Sequence, residues 1–342
     1  MSFNRLEADD FVVSADSITA GLFTNNQVPE ITTFFTASNQ ANASSGDYYL
    51  NVFSNEVTSS LEFAVTYGNE LGSGSAAYNT AIDGKSPSAT VYGQYRTLVL
   101  GDENADFTFG SITSSDFWAL SIERNRYKES LFPGSTTLLI SGSDGVISLT
   151  DNSQVASSVV FNDAGRVFQL VSGSAGNVVT SKESNGYSIS SGSYGLFLPD
   201  IATYILNPRA LSNDFADGGI GLDATLTSAL TATDNPNLNT IFAAISSSGA
   251  SSFTANSEET ITSDFVFVRP RSSEYNYSSN PSFISGSTGE VLFNSFINNP
   301  QTYMTTVGLY NDTNELLAVA KLSRPLPKDF TKEALVRVKL DF

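Results

Sequence analysis

Short runs of β-branched and aromatic residues, each stopped within a few positions by Gly, Asn, Asp or Ser, recur along almost all of this 342-residue sequence. A chain punctuated this often folds as many short strands joined by many turns. Asp47–Phe53 and Leu61–Tyr67 are aromatic or β-branched runs with partial alternation. Thr136–Ile140, the turn Gly142-Ser143-Asp144-Gly145 and Val146–Thr150 predict a β-hairpin. Ser158–Phe161, Asn162-Asp163-Ala164-Gly165 and Arg166–Val171 predict a second. The pattern Ser-Gly-Ser-x-Gly returns at 141–145, 172–176, 191–195 and 285–289, spacings of 31, 19 and 94 residues. That is too irregular for a solenoid or propeller. It reads as one tight turn used repeatedly, with Gly supplying positive φ.

Composition agrees. Charged residues are only 15% of the chain, below the roughly 25% of ordinary globular domains. The polar surface therefore comes from Ser, Thr, Asn and Gly, which favour turns over helix interiors. One stretch is expected to be helical: Asn235-Pro236 caps and starts it, Leu238, Ile241, Phe242 and Ile245 share a face, and Gly249 closes it. Residues 219–232 are a candidate for a second short helix. Residues 117–131 fit either state, a helix through Phe117, Leu120 and Arg124 or a strand through Trp118, Leu120 and Ile122.

The expected class is thus mostly β, with a minor α component: several small antiparallel β domains and one or two short helices in the C-terminal third. Boundaries are placed as an N-terminal β-rich region 1–115, a middle antiparallel β domain 116–206 and a C-terminal domain 207–342. The last holds a long exposed loop at 270–290, rich in Ser, Asn, Gly and Pro.

The chain has no histidine and no cysteine. Ser-His-Asp and Cys-His catalysis, His-ligated zinc, disulfides and iron–sulfur clusters are excluded. No catalytic, cofactor-binding or metal-ligating residue is assigned and no cofactor is expected. Carboxylate, lysine, tyrosine or magnesium chemistry stays formally open. The formal net charge of −18 repels nucleic acid and anionic lipid, and neither is expected as a partner. Residues 321–342 carry six Lys or Arg against three Asp or Glu, a charge of +3, which leaves −21 on residues 1–320. A basic terminal arm of this kind suits an acidic surface of a neighbouring subunit, or is a solvated strand face beside its own acidic body. Met1–Glu7 is not read as a secretory signal, and no run approaches the ~20 apolar residues of a membrane helix.

Gly219-Ile220-Gly221-Leu222-Asp223-Ala224 matches G-x-G-x-x-A, but Ser212–Gly218 before it is no strand, and a dinucleotide site needs one. Asp102-Glu103-Asn104-Ala105-Asp106 and the pair Asp214 and Asp217 read as exposed turns; calcium ligands or a glycosidase acid pair are the alternatives. Tyr275 and Tyr277 lie in the polar loop, where aromatic side chains often mark an interface.

Near the C-terminus, Tyr303–Tyr310, the turn Asn311-Asp312-Thr313-Asn314 and Glu315–Leu322 predict a hairpin, with Pro325 and Pro327 expected to end the return strand. Ala334–Phe342 then alternates, Val336, Val338, Leu340 and Phe342 one way and Arg337, Lys339 and Asp341 the other. Thr305–Asn311 followed by Glu315–Lys321 resembles a strand–turn–strand pattern of phage tail proteins, Thr-x-x-Gly-Leu-Tyr/Phe-Asn/Asp and then Glu-Leu-Leu-Ala-Val-Ala-Lys. Glu274–Ser278, Asp329–Leu335, and Glu123–Lys128 with Phe132-Pro133-Gly134 resemble virion structural proteins of T4-like marine cyanophages. The resemblance covers 270–342 closely and 117–206 more loosely.

It implies a non-enzymatic subunit of a myovirus virion, in the tail baseplate or at a fibre attachment. Such a subunit is made in the host cytoplasm, present in multiple copies, and partnered by other tail proteins, with no nucleic acid or membrane. The interface residues expected are Tyr275, Tyr277, Arg337 and Lys339. The alternatives are a neck or other tail component, a host-binding fibre module, or a tail-borne glycan depolymerase using two carboxylates.

Overall fold

The computed structural model describes residues 4–21, 34–36, 49–54, 61–74, 86–179, 183–184, 187–188, 194–224, 236–248, 252–278 and 280–341. The protein is mostly β, and every strand pairing with a register among the described residues is antiparallel. Contacts divide the chain into two compact units. The smaller comprises Met1–Ser17 with Thr260–Phe342, and the larger Ile18–Glu259. The boundaries expected near 115 and 206 both fall inside the larger unit. The reason lies in its strand order, which is not the chain order.

Along the main sheet of the larger unit, Asp116–Ile122 sits between Leu61–Asn69 and Thr203–Leu206. Its neighbours thus come from either side of the boundary expected near 115. This strand is buried on both faces: Trp118, Leu120 and Ile122 enter one hydrophobic cluster, Phe117 and Ala119 another. A strand covered on both sides reads as a continuous apolar run rather than an alternating one, which is why periodicity left it ambiguous. The Trp118 indole N–H donates to the Asn237 carbonyl at 3.1 Å, tying the strand to the helix Pro236–Ser246. That helix is the one predicted from Pro236 onward; Asn235 and Gly249, read as its cap and stop, lie outside the described residues.

The opposite face is covered by a helix the sequence reading did not place, Pro87–Leu100. Its start and stop signals are plain: the Ser86 hydroxyl caps the Ala89 N–H, Pro87 occupies the first turn, and Gly101 closes it at φ 66°. The interior hid it, because Val91, Tyr92, Gly93, Tyr95 and Val99 are poor helix formers. Tyr92 stacks on Phe117 with ring centroids 5.6 Å apart, and Phe107 meets Phe117 edge-on at 4.8 Å.

Both predicted hairpins are present, as Thr137–Ser141 with Val146–Asp151 and as Val160–Asn162 with Gly165–Ser174. Of the proposed second helix at 219–232, residues 219–224 are irregular and the rest lie outside the described residues. The G-x-G-x-x-A segment is buried backbone laid against the turn of the first hairpin. The Ile220 carbonyl accepts from the Asp144 N–H at 3.0 Å and the Gly221 carbonyl from the Ser143 hydroxyl at 3.1 Å. A Cβ on Gly142 would lie 2.0 Å from the Ile220 oxygen, so close packing explains the glycine there. Asp102, Glu103 and Asp106 are exposed in a turn where Asp102 Oδ1 accepts the Asn104 N–H. No helix among the described residues is long and apolar enough to cross a membrane.

In the smaller unit, the C-terminal hairpin pairs Thr302–Tyr310 with Leu316–Lys328. Pro325 and Pro327 do not end the return strand. The ladder breaks between Met304 and Thr306, and pairing resumes with Leu326 opposite Met304 and Pro327 opposite Tyr303. Each strand of a two-stranded ribbon has a free edge, and proline is tolerated where its missing N–H would face outward.

Candidate interaction surface

The smaller unit has a modest core. Val266, Val336 and Val338 are buried, and Leu6, Val268, Val307, Leu309, Ala320, Leu322 and Leu340 pack around them. Antiparallel pairing sets Val266 opposite Val338 and Val268 opposite Val336. The hairpin supplies Val307 opposite Ala320, and packs that face on the core. Val336, Val338 and Leu340 share a face, as the alternation predicts, and it points inward; Phe342, the fourth of that set, lies outside the described residues.

Alternation also fixes what points out. Gly308 is opposite Val319, and the flanking outward positions are Tyr303, Tyr310 and, at the second register shift, Leu317. Leu317 keeps 69% of its surface exposed, and Tyr303 and Val319 are exposed as well. The Tyr310 ring and Leu316 lie over Gly308, where a Cβ would approach the ring to 2.9 Å. Burying one large apolar side chain contributes roughly 1.5–3 kcal/mol, while association costs about 4–15 kcal/mol in lost freedom. Two such side chains do not hold a partner; the whole outer face with its neighbours is needed.

A second exposed apolar group follows the polar loop. Phe283 meets Phe296 edge-on at 4.7 Å and Phe293 at 6.0 Å, while Leu292, Phe293 and Ile297 stay exposed.

The loop residues singled out from sequence are exposed, Tyr277 to 70% and Tyr275 less so. They ride on a tied loop. Tyr275 has φ 52°, in the left-handed region, and its carbonyl accepts the Thr302 hydroxyl at 2.9 Å. Immediately before it the turn is closed by Glu274, whose Oε2 accepts the Arg271 N–H at 2.9 Å and the Asn4 amide at 2.8 Å. These two bonds, with the Arg271 and Lys328 charges, hold the Glu274 carboxyl below the usual carboxylate range. Burial, with the Glu274 charge, pushes the Tyr275 phenol up.

Arg337 and Lys339 are exposed on the terminal strand Val336–Asp341, and the structure brings them together over one ring. Arg337 lies 5.1 Å and Lys339 6.0 Å from the Phe265 centroid. Cross-strand pairing with Phe267 and Phe265 puts them there. The tyrosine loop is held instead against the start of the hairpin, through Thr302. The four predicted residues thus form two patches. The outer hairpin face was missed, although Leu316-Leu317-Ala318-Val319-Ala320 is an unbroken apolar run, which on a strand must turn apolar side chains to both faces.

In the larger unit, two groups of charged side chains are held inside the fold. Arg166 bridges Asp200, at 2.7 Å, and Glu258, at 3.2 Å, and also donates to the Ser130 hydroxyl. Asp116, fully buried, accepts from Ser114 and Tyr67 and pairs with Arg209 at 3.3 Å. Burial and the Asp116 charge push the Tyr67 phenol well up. These groups lock strands to loops. No family model, curated protein or solved structure matches the chain.

Proposed function

We propose that this chain is a structural, non-enzymatic subunit of a bacteriophage virion, placed in the contractile tail baseplate and bound there by the surface of its smaller unit. The observation that carries the assembly role is the outer face of the C-terminal hairpin. Leu317, Val319 and Tyr303 are directed away from the core of a two-stranded ribbon, and an apolar ribbon face of that kind is stable in a partner's presence rather than in water. The virion assignment rests on the tail-protein resemblance of residues 270–342, a segment lying wholly within that unit. Its neighbours are other tail proteins, met in several copies per particle. Tyr275 and Tyr277 add aromatic contacts at one patch, Arg337 and Lys339 cationic ones at the other.

The test is incorporation. Quantitative mass spectrometry of purified particles should find the wild-type chain, and cryo-electron microscopy should place it in the baseplate. A Leu317→Asp/Val319→Asp variant should fold normally and be missing from particles. Variant copy number equal to wild type would sink the hairpin as the attachment surface, and absence of the wild-type chain would sink the virion assignment.

A further inference from the structure

Lys328 ends the return strand of the C-terminal hairpin, yet its side chain is turned inward and the residue is 1% exposed. Its Nζ donates to the Ser272 carbonyl at 3.1 Å and to Oδ1 of Asn276 at 2.9 Å. Asn276 is 2% exposed, and its Nδ2 donates to the same Ser272 carbonyl at 2.6 Å. The ion pairs among the described residues do not include Lys328. An ammonium held by carbonyl oxygens has left water with no carboxylate in contact to compensate it.

The same geometry suits a reaction. The Asn276 amide is fixed at its nitrogen by Ser272 and at its oxygen by Lys328, so the amide carbon cannot turn away from the amine. A nitrogen hydrogen-bonded to Oδ1 lies about 3–4 Å from Cγ, close to the separation of a near-attack pair.

We propose that Lys328 and Asn276 form an intramolecular isopeptide cross-link, Nζ attacking Cγ of the amide. The Nζ–Cγ bond forms, the Cγ–Nδ2 bond breaks, and Nδ2 departs as ammonia. Counted from the ammonium, a lysine cation and a primary amide give a secondary amide and an ammonium ion. Atoms and charge balance with no oxidant, reductant or co-reactant. The proton that leaves Nζ is taken up by the departing nitrogen, and Glu274 of the same loop lies near enough for the Lys328 charge to act on its carboxyl. The step removes a buried charge that no carboxylate contacts.

Its place in the fold gives it a use. A two-stranded ribbon is marginal by itself, the smaller unit has few buried apolar residues, and the chain has no cysteine to staple it. A bond between positions 52 residues apart ties the tyrosine loop to the hairpin end and restricts the unfolded chain as a disulfide would. This inference stands independently of the virion reading.

The experiment is intact-mass spectrometry of the purified, then denatured, full-length chain, followed by tryptic mapping. The expected mass is about 17 Da below that of the sequence, the ammonia lost. Peptide 272–321 should be joined to peptide 322–332, which remains uncut after Lys328. Lys328→Arg and Asn276→Ala should each appear at their full calculated mass. A wild-type chain that keeps its full mass after prolonged incubation in the folded state overturns the proposal. So does a loss that persists in Lys328→Arg, which would belong to an asparagine elsewhere. The joined peptides of the wild-type map locate the bond without any variant, so a variant that fails to fold does not blur the result.

Discussion

Glu62 is fully buried and Arg126 is not, and their 2.7 Å contact shows how the larger unit keeps a charge inside. The guanidinium also donates through Nε to the Leu61 carbonyl at 3.0 Å, which fixes the fork beside the carboxylate. Removing one partner of a buried pair costs roughly 3–5 kcal/mol, because the other charge stays desolvated. Arg126→Ala should therefore lower stability by about 3 kcal/mol, the low end because Arg126 is partly exposed. Urea unfolding followed by near-ultraviolet circular dichroism checks it; a change under about 0.5 kcal/mol would mean that water already compensates Glu62. Glu274 gives a pH prediction. Its folded pKa is lowered, so its contribution is present above the ordinary carboxylate value and is lost as pH falls through the depressed one. Titration of its carboxyl carbon by nuclear magnetic resonance should give a midpoint below 4.5, with the Arg271 amide signal moving in step. At this scale the sequence was informative about exposure and silent about burial. Tyr275 and Tyr277 stand out because Ser and Asn surround them. Lys328, between Pro327 and Asp329, looks like a solvated charge, and only its long-range neighbours Ser272 and Asn276 make it an interior residue.

Elements repeat the lesson with a different cause. The hairpins were legible because turn residues and alternation are local, whereas the helix Pro87–Leu100 was not, since its aromatic and β-branched residues serve tertiary packing against Phe107 and Phe117. Proline at 325 and 327 was misjudged for a related reason. The rule against proline in strands concerns donors that a neighbour needs, and in a two-stranded ribbon half the donors have no neighbour. Gly68 tests how tightly the helix and sheet are matched. It lies opposite Phe117 in the ladder, and a Cβ there would approach the Phe117 ring to 2.6 Å. That ring is fully buried against Tyr92, Tyr95 and Phe107 and has nowhere to move. Gly68→Ala should destabilise by about 1–3 kcal/mol through overpacking. Adding Phe117→Leu should make the alanine less harmful than it is alone, as a double-mutant cycle in thermal unfolding would record. Strict additivity would mean that the ring is not the obstacle.

Across the whole molecule, charge is divided as unevenly as hydrophobic burial. Residues 18–259 carry 8 Lys or Arg against 23 Asp or Glu, a net −15, while the smaller unit carries 9 against 12, a net −3. The sequence exposed this asymmetry as a basic tail. It could not reveal the units themselves, because the smaller one is closed by pairing residues 263–268 with 336–341, far apart in the chain. An acidic body repels copies of itself and other acidic proteins, so attachment favours the unit where cations face outward. Arg337 and Lys339 are those cations, supported on Phe265. Charge reversal at both, Arg337→Glu with Lys339→Glu, should change folding stability little beyond the loss of cation–π contacts, about 0.5–1 kcal/mol at exposed sites. Its effect on docking should be larger, since four units of charge are changed on a face that meets a partner. Fewer copies per particle are therefore expected, while Arg337→Gln with Lys339→Gln should sit between. Raising salt should narrow the gap between the three proteins, because screening weakens attraction and repulsion alike. Equal copy numbers for all three at low salt would remove this strand from the attachment surface and leave the hairpin face to carry it alone.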